Sequence, residues 1–183
     1  MSRIEALDPG SANGRTGDLL AAVQKKLGAT PNLVRVMANE PAVLDAYLKF
    51  SDSLAHGSFA AQTREAIALA TAGANSCDYC ASAHTAISKN LKVDPSEIEA
   101  RLSARSADPK LQALLDFSRA VIEKRGEVAD EDLNAVRRAG YGDGEIVEAI
   151  ANIALNILTN YLNNVAHTEI DFPPVRVKQV ESV

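Results

Sequence analysis

The chain has 183 residues, of which 46% are apolar, 23% charged and 4% aromatic, with two Cys, no Trp and a formal charge of −5. That length can bury a core without disulfide or metal staples, and the abundance of alanine favours closely packed helices, so an all-α fold in one domain over residues 1–183 is expected. The acidic balance, with a pI near 5.2, removes any electrostatic reason to expect nucleic acid, whose phosphates need clustered Lys and Arg.

Residues 1–16 are predicted to be extended. Their sequence, running on into "GDLL", lacks the basic and apolar blocks of a secretion signal, and no later stretch is apolar for long enough to span a membrane. A soluble, cytoplasmic protein is expected. In that reducing compartment a close Cys pair points to catalysis or metal binding ahead of a permanent bridge.

Nine helices are predicted, at 18–27, 31–39, 41–54, 61–73, 77–89, 95–103, 109–125, 130–139 and 144–166. Thr30-Pro31, Glu40-Pro41, Asp94-Pro95 and Asp108-Pro109 each read as a capping residue followed by Pro at the first helical position, where Pro loses no hydrogen bond. Glu97 adds a capping-box acid to the third of these. Gly28 and Gly140 stand where left-handed caps are expected. The basic pairs Lys25-Lys26 and Arg137-Arg138 read as solvated helix faces. Beyond residue 170 the segment "DFPPVRVKQVESV" is predicted extended and stiffened by Pro173-Pro174, either lying along a neighbouring subunit or free.

Both cysteines fall in "NSCDYCASAHTAISKN", residues 75–90. Asn75-Ser76 makes a good N-cap pair, which puts Cys77 in the first turn and Cys80 one turn on. Three residues of helix separate Cα atoms by about 5 Å, within reach of a disulfide. His84 lies about 6 Å from Cys80 on the same face, and about 10 Å from Cys77. Backbone N–H groups and the helix dipole therefore act most on Cys77, and the imidazole on Cys80. If helices 61–73 and 77–89 form a hairpin about residues 74 and 75, Glu65 falls opposite His84. Carboxylate, imidazole and thiol in that order form a proton relay able to generate a thiolate near neutral pH.

Three plainer readings stay open: a zinc site that recruits His56 or His167 as a fourth ligand, two inert buried thiols, or Glu65 as an ordinary surface acid. His56, in "AHGSF", reads as a loop residue. On the last helix Asn152, Asn156, Asn160 and then Asn163 or Asn164 recur near every fourth position, with His167 extending the row. Such a stripe either lines a cavity or an interface, or is the polar outer face of an amphipathic helix.

The pattern of Glu, eleven residues, then Cys-x-x-Cys-x-x-x-His, filled by Glu65, Cys77, Cys80 and His84, resembles the AhpD-like alkylhydroperoxidases of the carboxymuconolactone decarboxylase superfamily. The tail "NNVAHTEIDFP" is similar to the end of peroxidase-related members. The resemblance implies an AhpD-like helical fold with the Cys-x-x-Cys at the start of a central helix, a homo-oligomer (trimer or hexamer), and thiol-dependent reduction of hydroperoxides. By it Cys80 is the peroxidatic thiol, Cys77 the resolving thiol, and Glu65 with His84 the relay. An external dithiol, lipoyl in type, completes the cycle with no metal, flavin or haem. One departure is Tyr79, where better-studied members carry His; a phenol of ordinary pKa near ten is a poorer base at neutral pH. A decarboxylase-type lyase and a thiol-disulfide adaptor are the competing functions.

Overall fold

Three of the four proline starts form as the sequence suggests. The carboxylates of Glu40, Asp94 and Asp108 accept the backbone N–H groups of Ala42, Ser96 and Lys110 at 3.1, 2.8 and 2.9 Å. The fourth differs: Pro31 is itself the cap and its helix begins at Asn32. The computed structural model describes residues 2–177, and among them nine α-helices and no strand. They are α1 (Gly14–Leu27), α2 (Asn32–Met37), α3 (Pro41–Ala55), α4 (Ala61–Ala74), α5 (Asp78–Asn90), α6 (Pro95–Leu102), α7 (Pro109–Glu123), α8 (Asp130–Arg138) and α9 (Asp143–Ala166). Helix α1 starts four residues earlier than predicted. Glu97 closes no capping box; its carboxylate accepts instead from the Ala107 N–H at 2.7 Å and the Ser106 hydroxyl at 2.8 Å, pinning the loop before α7.

Helix α4 occupies the centre, against α5, α6, α7 and α9. Its residues Ala66 to Ala72 are all buried, and most are small, so neighbouring helices approach closely. The approach is tightest at Gly73, where an added Cβ would lie 1.8 Å from the Leu102 carbonyl oxygen of α6. Ile67 joins Leu114, Leu115, Val136 and Ile153 in the main core; Leu20, Val23, Met37 and Leu44 form a second cluster among α1 to α3, with Leu162 of α9 packed against it.

Helix α9 inverts the usual amphipathic rule. Asn152, Asn156, Asn160 and Asn163 are buried, while Val147, Ile150, Leu158, Tyr161 and Val165 are exposed. The Asn row is thus an inner face and not a polar outer one. Asn163, not the exposed Asn164, continues it, and His167, exposed beyond the helix end in a left-handed conformation (φ 50°), does not.

The described part of the C-terminal segment is not free: it folds along α5 of its own chain. Val175 N–H donates to the Ser82 hydroxyl and Val177 N–H to an Asp78 carboxylate oxygen, both at 2.8 Å. Arg176 pairs with the other Asp78 oxygen at 2.7 Å. Phe172 meets Tyr79 edge to face, with centroids 5.7 Å apart. Residues 178–183 of the predicted tail lie outside the described residues. Among the described residues no helix is long and apolar enough to cross a membrane.

Candidate active site

The turn between α4 and α5 sets the position of both thiols. Asn75 closes α4, its N–H donating to the Thr71 carbonyl at 3.0 Å, and Ser76 turns the chain with φ 50°. Neither residue caps α5. That place is taken by Cys77, whose sulfur accepts the Cys80 N–H at 3.3 Å while its own N–H donates to the Ala72 carbonyl at 2.9 Å. Cys77 therefore sits one position earlier than the sequence predicts, at the cap itself, and is fully buried at 0% exposure. The Cys80 N–H at the helix start favours ionisation of Cys77, but is outweighed. Its hydrogen bond with Cys80 and its burial push the thiol well above the ordinary range.

Cys80 behaves oppositely. Its acidity is moved from the ordinary 9.0 to about 7, first by the hydrogen bond from the Cys77 thiol, against the effect of burial, then by the charge on His84 and the amides of Asn163 and Asn160. The imidazole contributes as the spacing suggests, but the neighbouring thiol contributes more. One sulfur keeps a proton so that the other can lose one.

The hairpin symmetry places Glu65 opposite His84, and the carboxylate lies 2.8 Å from His84 Nδ1. Burial opposes a charge on the imidazole; the charge and hydrogen bond of Glu65, with the Cys80 sulfur and Asn156 beside it, outweigh that and raise its pKa. Glu65, Cys80 and His84 line one cavity of about 290 Å³. Its walls are largely apolar, from Leu33, Val34, Leu48 and Ala68, with Asn152 and Asn156 of α9 as polar points. Cys77 does not line it.

Tyr79 is an architectural residue. Its hydroxyl accepts the Leu33 N–H at 3.0 Å, its ring is buried against Phe172, and burial holds its proton. It ties α5 to α2 and takes no place between Glu65 and Cys80. His56 and His167 end α3 and α9 outside the cavity. Among the described residues no group of three or more His, Cys, Asp or Glu is placed to hold a metal ion.

Two participants escape sequence reasoning. Tyr47 lines the cavity from α3, its pKa raised to about 12 by burial and then by the negative charges on Cys80 and Glu65. The available signal was its position three after buried Leu44 on one helix face. The second is the Asn163 amide, which donates from α9 to the Cys80 sulfur at 3.3 Å. Only its place in the Asn row hinted at it.

Residues 41–123, the stretch from α3 to α7 that holds Glu65, both cysteines and His84, match the Carboxymuconolactone decarboxylase family. A peroxidase-related protein from Ralstonia eutropha JMP134, described as an alkylhydroperoxidase AhpD core, is similar over 93% of this chain and 92% of that one, with 27% identity and a TM-score of 0.83. The fold is AhpD-like. A peroxidase-related protein from Silicibacter sp. TM1040 shares the fold at 24% identity, covering 96% of this chain and 95% of that one, with a TM-score of 0.78. So does the debrominase Bmp8, solved as a Cys-to-Ala variant with 2,3,4-tribromopyrrole, at 19% identity over 93% of this chain and 92% of that one, with a TM-score of 0.79. No curated protein matches the chain.

Proposed function

We propose that the protein is a thiol-dependent peroxidase that reduces organic hydroperoxides through a Cys77/Cys80 dithiol-disulfide cycle. The observation that carries this reading is the acidified Cys80 on the wall of an apolar cavity, with a protonated second thiol bonded to it and a carboxylate-held imidazole beside it. His84 takes the Cys80 proton. The thiolate attacks the terminal peroxide oxygen; the O–O bond breaks, its electrons leave on the alkoxide, and the His84 imidazolium returns a proton to give the alcohol. Cys77 then displaces hydroxide from the Cys80 sulfenic acid, forming the disulfide and water. An external dithiol of lipoyl type reduces that disulfide by exchange and becomes oxidised in turn.

Burial argues against an adaptor, whose thiols must meet another protein, because Cys77 and Cys80 are 0% and 2% exposed. A lyase acting on a lactone acid has no use for the second thiol. Dihydrolipoamide-driven consumption of cumene hydroperoxide is the direct assay; a reduced protein that consumes none, and forms no internal disulfide, refutes the proposal.

The pH profile follows from the acidities. Rate should rise through about pH 7 as Cys80 ionises and, one unit below that, be about tenfold under its high-pH plateau. Removing the carboxylate in Glu65→Gln leaves burial to lower the His84 pKa, so the imidazolium is lost at neutral pH and the Cys80 thiolate loses its counter-charge. We expect about 100-fold slower peroxide reduction at pH 7, with the rising limb displaced to higher pH. An unchanged profile would remove Glu65 from the relay. Stability is the poorer readout: the stabilising contribution of the lowered Cys80 pKa is complete above 9 and fades as pH falls through about 7, whereas that of His84 is complete below its ordinary value and fades as pH rises through its raised one.

A further inference from the structure

Helix α9 brings two buried amides to the far side of the reacting sulfur. Asn163 Nδ2 donates to Cys80 Sγ at 3.3 Å, and neither Asn163 nor Asn160 lines the cavity by which a substrate would reach that sulfur. Both are buried, Asn160 completely. The Asn75 amide fixes the orientation of Asn160 by donating to its Oδ1 at 3.1 Å, which leaves the Asn160 Nδ2 a buried donor with no partner among the described residues. An unmatched buried N–H is costly, and a helix face that repeats Asn where Leu would pack better needs a compensating contact.

We propose that Asn163 and Asn160 form an amide cradle that binds Cys80 as the thiolate, the two N–H groups facing its charge from behind while the cavity side stays open to substrate. A neutral thiol is a weak acceptor and gives these donors little; a thiolate is a strong one, so the cradle favours the ionised form and supplies charge-assisted hydrogen bonds at the reacting atom. The amide orientation agrees with this. Asn163 turns its N–H toward the sulfur although its own Oδ1 is thereby buried without a partner. The Glu65–His84 pair approaches from the cavity side, so the cradle is a second and separate source of acidity. It rests on Cys80 being the reacting sulfur of the proposed peroxidase, yet it concerns the ionisation of that sulfur and can be measured without turnover.

The experiment is alkylation of the reduced chain by iodoacetamide between pH 5 and 10, with the rate at Cys80 followed by peptide mass mapping, for wild type, Asn163→Leu, Asn163→Ala and Val165→Ala. Asn163→Leu should alkylate about tenfold more slowly at Cys80 near pH 7 and converge on wild type above pH 9, where the thiol is ionised without help. Asn163→Ala, which removes the amide without adding bulk, should do the same if the Leu variant does not fold. Val165→Ala alters an exposed residue on the outer face of the same turn and should leave the profile in place. Superposition of the Asn163→Ala and wild-type profiles overturns the cradle, as does an equal shift in Val165→Ala, which would trace the effect to the helix and not to the amide. Loss of hydroperoxide consumption in the wild type would overturn the peroxidase while leaving this profile able to decide the cradle.

Discussion

Cys80→Ser should lower hydroperoxide reduction by about 10⁴-fold, the scale of removing a nucleophile that no neighbour replaces. A serine hydroxyl stays protonated under the same His84 and amide donors, so the attack on oxygen is lost while the cavity keeps its shape. Cys77→Ser should behave differently: it should consume a first equivalent of peroxide at near wild-type rate and a second more slowly, then stop, the second equivalent carrying its Cys80 from the sulfenic to the sulfinic acid because no thiol is present to condense with the sulfenic one. Intact mass would show two added oxygens in place of two lost hydrogens. Ser is the informative choice at position 77. Its hydroxyl still donates to the Cys80 thiolate, whereas Ala would also remove the contact that contributes most to Cys80 acidity. Consumption by Cys80→Ser equal to that of the wild type would end the assignment of Cys80 as the attacking sulfur.

The second large effect concerns the scaffold. Gly73→Ala should destabilise the protein by about 3 kcal/mol and lower the melting temperature by about 6–12 °C. The obstacle is the Leu102 carbonyl oxygen, 1.8 Å from where the new methyl must go, and a backbone atom cannot rotate aside as a side chain can. Helix α6 would have to withdraw from α4 just before the turn that carries Cys77. Differential scanning calorimetry decides it; an unchanged melting temperature would mean that α4 and α6 separate at little cost.

Much of this arrangement is readable from residue order because helical hairpins obey simple symmetry. Glu65 and His84 stand equally far from the turn and meet at 2.8 Å. The acidic caps before Pro41, Pro95 and Pro109 are local chemistry, complete within three residues, and they form as written. What escapes has non-local causes. Ser76 looks like a cap, but the chain must reverse there and takes the left-handed conformation, so capping passes to Cys77. Tyr79 occupies the position of a base but is claimed by the Leu33 N–H, 46 residues away. The Asn row of α9 resembles a solvent face in periodicity alone; only the placement of the α4–α5 hairpin against it turns that face inward.

The C-terminal segment clasped on α5 gives the dithiol a clock as well as a cover. Ile170, Phe172, Val175 and Val177 pack over the cluster that contains Cys77 and Cys80, and the clasp is held by side-chain acceptors on Asp78 and Ser82 and not by a helix or sheet ladder. Such fastenings open far more often than a core helix unfolds. A reductant too bulky for the cavity would then reach Cys77 only at the frequency of those openings, however reactive it is. Amide hydrogen exchange at Val175 and Val177 measures that frequency directly. Asp78→Asn, which weakens the hold on both Arg176 and Val177, should speed exchange at the two amides about tenfold and accelerate reduction of the disulfide by a bulky thiol, with peroxide consumption in a single turnover left as it was. Equal exchange in the two proteins would show that the cover opens by another hinge.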